Sequence, residues 1–103
     1  MTGFHPDALA EIERARDWYE DKRPGLGGEL VDQVERVLER IEAAPTSFAR
    51  TPESRAARRA LLGRFPYWMV FSVLDNGDDV LIVALAHAKR RAGYWRQRVG
   101  GQR

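Results

Sequence analysis

Two apolar stripes at helical spacing, separated only by Lys22-Arg23-Pro24-Gly25, constrain this chain more than any other feature. In the first, Ala8, Ile12, Ala15 and Tyr19 recur on one face, and Leu9 and Trp18 widen it. Pro6 suits a first helical turn, where its missing N–H would have no partner, and His5 before it reads as a cap. Asp7, Glu11 and Glu13 favour the positive end of the helix dipole. Cations and then two breakers end the segment at Lys22–Gly25. The second stripe, Leu26, Leu30, Val34, Val37, Leu38 and Ile41, predicts a helix from about Leu26 to Ala44 that Pro45 stops. So short a link makes the pair an antiparallel helical hairpin. Each stripe must then be covered by something else.

The second half supplies the cover. Arg58–Gly63 reads as a strand, Phe65-Pro66 as a break, and Tyr67–Leu74 as a strand apolar on both faces. Asp75-Asn76-Gly77-Asp78 holds an Asn-Gly hairpin signal, and Val80–His87 returns, again apolar on both parities. One face belongs against the helices, the other against the C-terminal segment or a partner. Met1–Phe4 is short enough to be only an edge strand, and Ala92–Arg98 allows one or two helical turns. The expected fold is α+β: an N-terminal helical hairpin packed on one face of a mostly antiparallel three- to four-stranded sheet, with a short C-terminal helix.

At 103 residues the chain is expected to form one domain, 1–103, able to bury roughly two-thirds of its unfolded surface. With no cysteine there is neither disulfide framework nor thiolate chemistry. No run approaches a membrane span and Met1–Pro6 is not a signal peptide, so a cytoplasmic protein without membrane contact is expected. Net charge is +2, but it is sorted: residues 1–45 sum to −5 and residues 46–103 to +7. A basic half carrying Tyr67, Trp68, Tyr94 and Trp95 suggests a surface for a polyanion or an acidic partner.

The densest chemical grouping runs from Ala86 to Arg96. There His87 closes an apolar strand, Lys89, Arg90 and Arg91 follow, and then Tyr94 and Trp95. Arg58, Arg59 and Arg64 flank the neighbouring strand. An imidazole that titrates near neutrality together with guanidiniums that hold phosphate oxygens are the ingredients of metal-free RNA cleavage. Each residue also has a plain structural role: a hydrogen-bonded strand-end His, a solvated basic loop, aromatics docking the last segment. Glu53 is the one carboxylate of the second half outside the hairpin turn. Other templates fail. Gly25, Gly27 and Gly28 lack a preceding strand and a Lys-Ser/Thr pair, and two distant His give no metal-ligand spacing, so neither a metal nor a cofactor is expected.

Taken in order, Phe4-His5-Pro6, Trp18-Tyr19-Glu20, Arg23-Pro24-Gly25-Leu26-Gly27, Ile41, Pro45, Phe48, Arg58-Arg59, Leu61, Phe65-Pro66-Tyr67, His87, Arg90-Arg91 and Tyr94-Trp95 resemble the RelE/ParE superfamily of type II toxin–antitoxin toxins. The resemblance covers nearly the whole chain. It implies a growth-inhibiting toxin, known also from plasmid stabilisation, neutralised by a small cognate antitoxin whose C-terminal segment lies along it in an oligomeric complex. Two branches diverge in target. RelE-like members cleave mRNA on the ribosome; ParE-like members are associated with DNA gyrase.

The interhelix Arg-Pro-Gly-Leu-Gly and the final Tyr-Trp look ParE-like, while His87 matches a strand-end His of several ribosome-dependent nucleases. The resemblance implies a catalytic set of His87, Arg64, Arg59, Arg90 and Tyr94 if the chain is a nuclease. For antitoxin or target contact it implies Trp18, Arg58, Arg59, Arg64, Trp68, Lys89, Arg91 and Trp95. An inert nucleic-acid binder that uses the basic half is the third reading. The helical stripe carries its own check: Leu38→Asp should unfold the protein, seen as loss of the cooperative thermal transition, and a soluble variant that melts cooperatively would place the stripe on the wrong face.

Overall fold

The computed structural model describes residues 1–100. In chain order they form β1 (Thr2–Phe4), α1 (Pro6–Lys22), α2 (Leu26–Ala43), a 3-10 turn (Pro45–Ser47), β2 (Arg58–Leu61), β3 (Tyr67–Val73), β4 (Val80–His87) and α3 (Arg96–Gly100). The expected α+β architecture is the one formed. Among the described residues no helix is long and apolar enough to cross a membrane.

The helical hairpin begins at His5, whose Nδ1 accepts the Asp7 N–H at 3.0 Å. Its sharp link has a concrete cause. A Cβ at Gly27 would stand 2.6 Å from the Arg16 carbonyl oxygen, so only glycine lets the two helices approach here. The same approach brings Glu20 of α1 to the start of α2, where its carboxylate accepts the N–H groups of Gly25 and Gly27 at 3.0 Å each. Gly25 has no capping side chain, and Glu20 substitutes for one across the hairpin.

The sheet runs β1-β4-β3-β2, with β2, β3 and β4 antiparallel and β1 parallel to β4 at the edge. Strands apolar on both faces are explained by two cores. Met69, Phe71, Ile82 and Leu85 pack against Ala8, Leu30, Val34 and Ile41 of the helices. Behind the sheet, Val70, Val83, Ala84 and Ala86 pack against Ala57, Trp95 and Val99. The C-terminal segment is thus the cover for the second face. Its helix starts at Arg96 rather than Ala92, after a turn in which Gly93 adopts φ 75°. The hairpin loop is also longer than an Asn-Gly pair: it closes where Leu74 N–H meets the Asp79 carbonyl, and Asn76 Oδ1 accepts the N–H groups of Asp78 and Asp79.

One irregularity decides where the end of β4 points. Val70 lies opposite Ala84 and Phe71 opposite Ile82, so Val83 has no counterpart and forms a bulge. Side-chain alternation resets there, from Val80 and Ile82 to Leu85 on the helical side. His87 follows in phase with Leu85, opposite Tyr67.

On its other side β4 has a partner for half its length only. The β1 pairing ends at Phe4, and the last bond of that edge is His5 N–H to the Ile82 carbonyl at 2.8 Å. Beyond it, side chains take the place of a strand. Glu11 Oε1 accepts the Leu85 N–H at 3.0 Å, and Arg98 Nη1 donates to the Val83 carbonyl at 3.0 Å. Arg98 also grips both carboxylate oxygens of Glu11, at 3.1 and 3.0 Å, and the Tyr94 hydroxyl donates to Glu11 Oε2 at 2.9 Å. Glu11 is 6% exposed, and its charge is tolerable only because these donors surround it. Glu11→Ala is expected to cost about 3–5 kcal/mol, because it strands the Arg98 charge and the Leu85 N–H; urea denaturation of the variant reads the loss directly.

Candidate functional site

The turn after β4 separates two grooves, and His87 and Arg90 line both. The larger, about 350 Å³, opens between α1 and the end of β4. Arg14 and Trp18 form its α1 wall, and Tyr19, Tyr67 and His87 make an aromatic row behind them. These rings meet edge to face, Trp18–Tyr19 at 4.9 Å and Tyr67–His87 at 5.0 Å between centroids. Trp18 is 54% exposed, which is unusual for so large an apolar ring, and Lys22 Nζ lies 4.6 Å over it.

The smaller groove, about 90 Å³, lies on the sheet face away from the helices. Here the Arg59 guanidinium covers the Trp68 indole at 4.1 Å, and Arg91, Arg90 and Glu53 complete the rim. Glu53 packs beside Gly93, where a Cβ would come within 3.0 Å of its side chain. The positive φ of Gly93 and the absence of a Cβ together let the loop close onto Glu53.

The sequence-expected residues are therefore only partly gathered. His87, Arg59, Arg90, Arg91, Trp68, Tyr94 and Trp95 line the outer groove, whereas Trp18 belongs to the helical-side groove. Arg64 lines neither: it pairs with Glu29 of α2 and holds that carboxyl below its usual range, with Arg23 adding to the effect. Arg58 is a structural clip that donates to the carbonyls of Thr46 and Phe48. Trp95, expected as a contact residue, is 3% exposed and docks the C-terminal segment in the outer core. Tyr94 faces Glu11 with its hydroxyl, and Arg90 lies 3.8 Å over its ring. Lys89 is exposed, and its backbone N–H donates to His87 Nδ1 at 3.0 Å. In the neutral ring that bond assigns the proton to Nε2, so His87 presents a donor to the grooves.

Sequence reasoning missed Glu11, which appears in it as a helix-dipole acid. The signal was its place at i+3 from Ala8 and i−4 from Ala15, the two alanines buried on the same face. Glu53 could be named but not placed, because no periodicity fixes its loop. Among the described residues no cluster of His, Asp or Glu could hold a metal ion.

The fold has known counterparts. Residues 3–92 match the family model of the ParE toxin of the type II toxin–antitoxin system, parDE. The chain belongs to the ParE toxin family. No curated protein sequence matches it. Among solved structures, the chromosomal ParDE toxin–antitoxin system of P. aeruginosa contains a chain of similar fold: TM-score 0.73, 19% identity, 85% of this chain and 95% of that one covered. The isolated E. coli RelE toxin superposes with TM-score 0.64 at 18% identity, covering 94% and 93%. The intact E. coli RelBE toxin–antitoxin complex holds a further relative, TM-score 0.65 at 18% identity, covering 87% and 98%. This ParE-family chain thus shares its fold with chains of both the ParDE and the RelE structures.

Two half-buried phenols give the toxin an alkaline limit. Burial, reinforced by the Glu11 charge, pushes the Tyr94 hydroxyl well above its ordinary range, and burial beside Tyr19 pushes Tyr67 up to about 12. Both groups keep their protons when folded at a pH where the unfolded chain has released them. Their stabilisation is complete below about pH 10 and declines as pH rises beyond it. Denaturation midpoints should fall above about pH 10, and Tyr94→Phe should flatten that fall by removing one of the two groups.

Proposed function

We propose that this ParE-family toxin inhibits growth by binding DNA gyrase, and that a cognate antitoxin holds it inactive in an oligomeric complex. The observation that carries the reading is the family match, together with the engagement of two members of the nuclease-type set elsewhere. Arg64 is committed to Glu29, and the Tyr94 hydroxyl donates to Glu11. Arg64 lies outside the groove that holds His87, and Tyr94 lines that groove with its hydroxyl already engaged. The helical-side groove suits the antitoxin: exposed Trp18 and the aromatic row accept an apolar anchor, and Arg14 and Arg90 attract flanking carboxylates. The ParDE and RelBE complexes among the structural relatives support a partner of this kind.

A RelE-type nuclease is the second reading, favoured by one observation: His87, Glu53, Arg59 and Arg90 line a single groove. That places a proton donor, a carboxylate and two guanidiniums together. Purified toxin supplied to a gyrase supercoiling assay and, in parallel, to a translating extract separates the two. Supercoiling should be inhibited while the mRNA stays intact, and His87→Ala should leave growth inhibition unchanged. Cut mRNA, with a loss on the order of 10²–10⁴-fold in His87→Ala, would establish the nuclease instead.

A further inference from the structure

We propose that the outer groove is a binding site for the phosphodiester backbone of a nucleic-acid strand, which it grips without cutting. This goes beyond the gyrase reading and does not depend on it.

The groove gathers three guanidiniums, from Arg59, Arg90 and Arg91, against the single carboxylate of Glu53. Arg90 is partly compensated, with Nη1 3.5 Å from Glu11. Arg59 and Arg91 are not: among the described residues neither forms an ion pair. What sets these two apart from other unpaired arginines is that they share one groove with Arg90. Arg59 is also oriented. Its guanidinium carbon lies over the Trp68 ring at 4.1 Å, and a guanidinium held there keeps a planar set of N–H donors that can pair bidentately with phosphate oxygens. Stacking removes much of the rotamer freedom that a surface arginine would otherwise lose on binding.

Size and partners narrow the ligand. About 90 Å³ admits a phosphate group but not a nucleoside, and the Trp68 face that could stack a base is already covered by Arg59. Recognition therefore falls on the backbone, with no reading of base identity. His87 borders the groove, but its ring packs on Tyr67 of the helical side and its Nδ1 accepts the Lys89 N–H, which leaves the proton of the neutral ring on Nε2. A ring held in that tautomer has no free lone pair for a 2′-hydroxyl proton, which leaves the groove without an imidazole base.

The test is fluorescence anisotropy of the full-length toxin with labelled single-stranded DNA, duplex DNA and RNA of equal length. Gyrase is absent, so failure here leaves the gyrase reading standing, and a toxin inert on gyrase leaves this site standing. Saturable binding is expected, indifferent to sequence and falling with salt. Arg59→Ala and Arg91→Ala should each weaken it roughly fivefold to tenfold and lower the salt slope by about one. Arg59→Lys, which keeps the charge and the stem but not the flat fork, should weaken it roughly threefold, and covers the case of an Arg59→Ala variant that does not fold. Glu53→Gln should tighten binding. Arg36→Ala, the same change of charge on the exposed side of α2, should leave it unaltered. The strand bound most tightly identifies the natural source of the phosphodiester. Absent binding, or an equal loss in Arg36→Ala, would overturn the site in favour of diffuse attraction, and cleavage of the RNA would overturn gripping without cutting.

Discussion

A carboxylate filling the open half of a strand edge is the interaction on which this structure depends. β1 covers β4 only as far as Ile82, and the backbone beyond lies inside the protein, where unpaired N–H and C=O groups are costly. Glu11 meets the Leu85 N–H, and Arg98 meets both the Val83 carbonyl and Glu11. The charge pair balances itself, so the segment behaves as a short surrogate strand made of side chains. Four elements are tied by it: α1, β4, the turn carrying Tyr94, and α3. Both grooves are walled by parts of that same assembly, so their shape is a consequence of how the edge is closed.

Much of the fold is readable from residues in order. The helices follow from stripes ended by Pro24-Gly25 and Pro45, and the two-sided apolar strands foretell two cores, which Met69 and Val70 confirm on opposite faces. What escapes the reading is whatever depends on register or on distant partners. The Val83 bulge leaves no mark in a run where every residue is apolar, yet it sets the side of the sheet to which His87 turns. Glu11 looks like a dipole-favouring acid until Arg98, far along the chain, is found against it. Arg64 sits in a basic neighbourhood by sequence and beside Glu29 in space. The sorting of charge by halves is real, but folding divides the cations: some neutralise acidic helices, and others stay together on the outer face.

That division gives the molecule two dissimilar surfaces meeting at one turn. The helical side offers exposed Trp18 and a row of rings with cations at the margin, features of protein recognition. The outer side offers a small polar crevice with oriented guanidiniums. Because His87 and Arg90 border both, any occupant of one alters the electrostatics of the other.

The strand at the centre of this arrangement is clasped by two segments far apart in sequence, residues 2–5 along half its edge and Arg98 along the rest. During synthesis the second clasp arrives last, since Arg98 leaves the ribosome after every other element it secures. A nascent chain therefore keeps a raw strand edge until Arg98 has emerged, and the closed form cannot precede that moment.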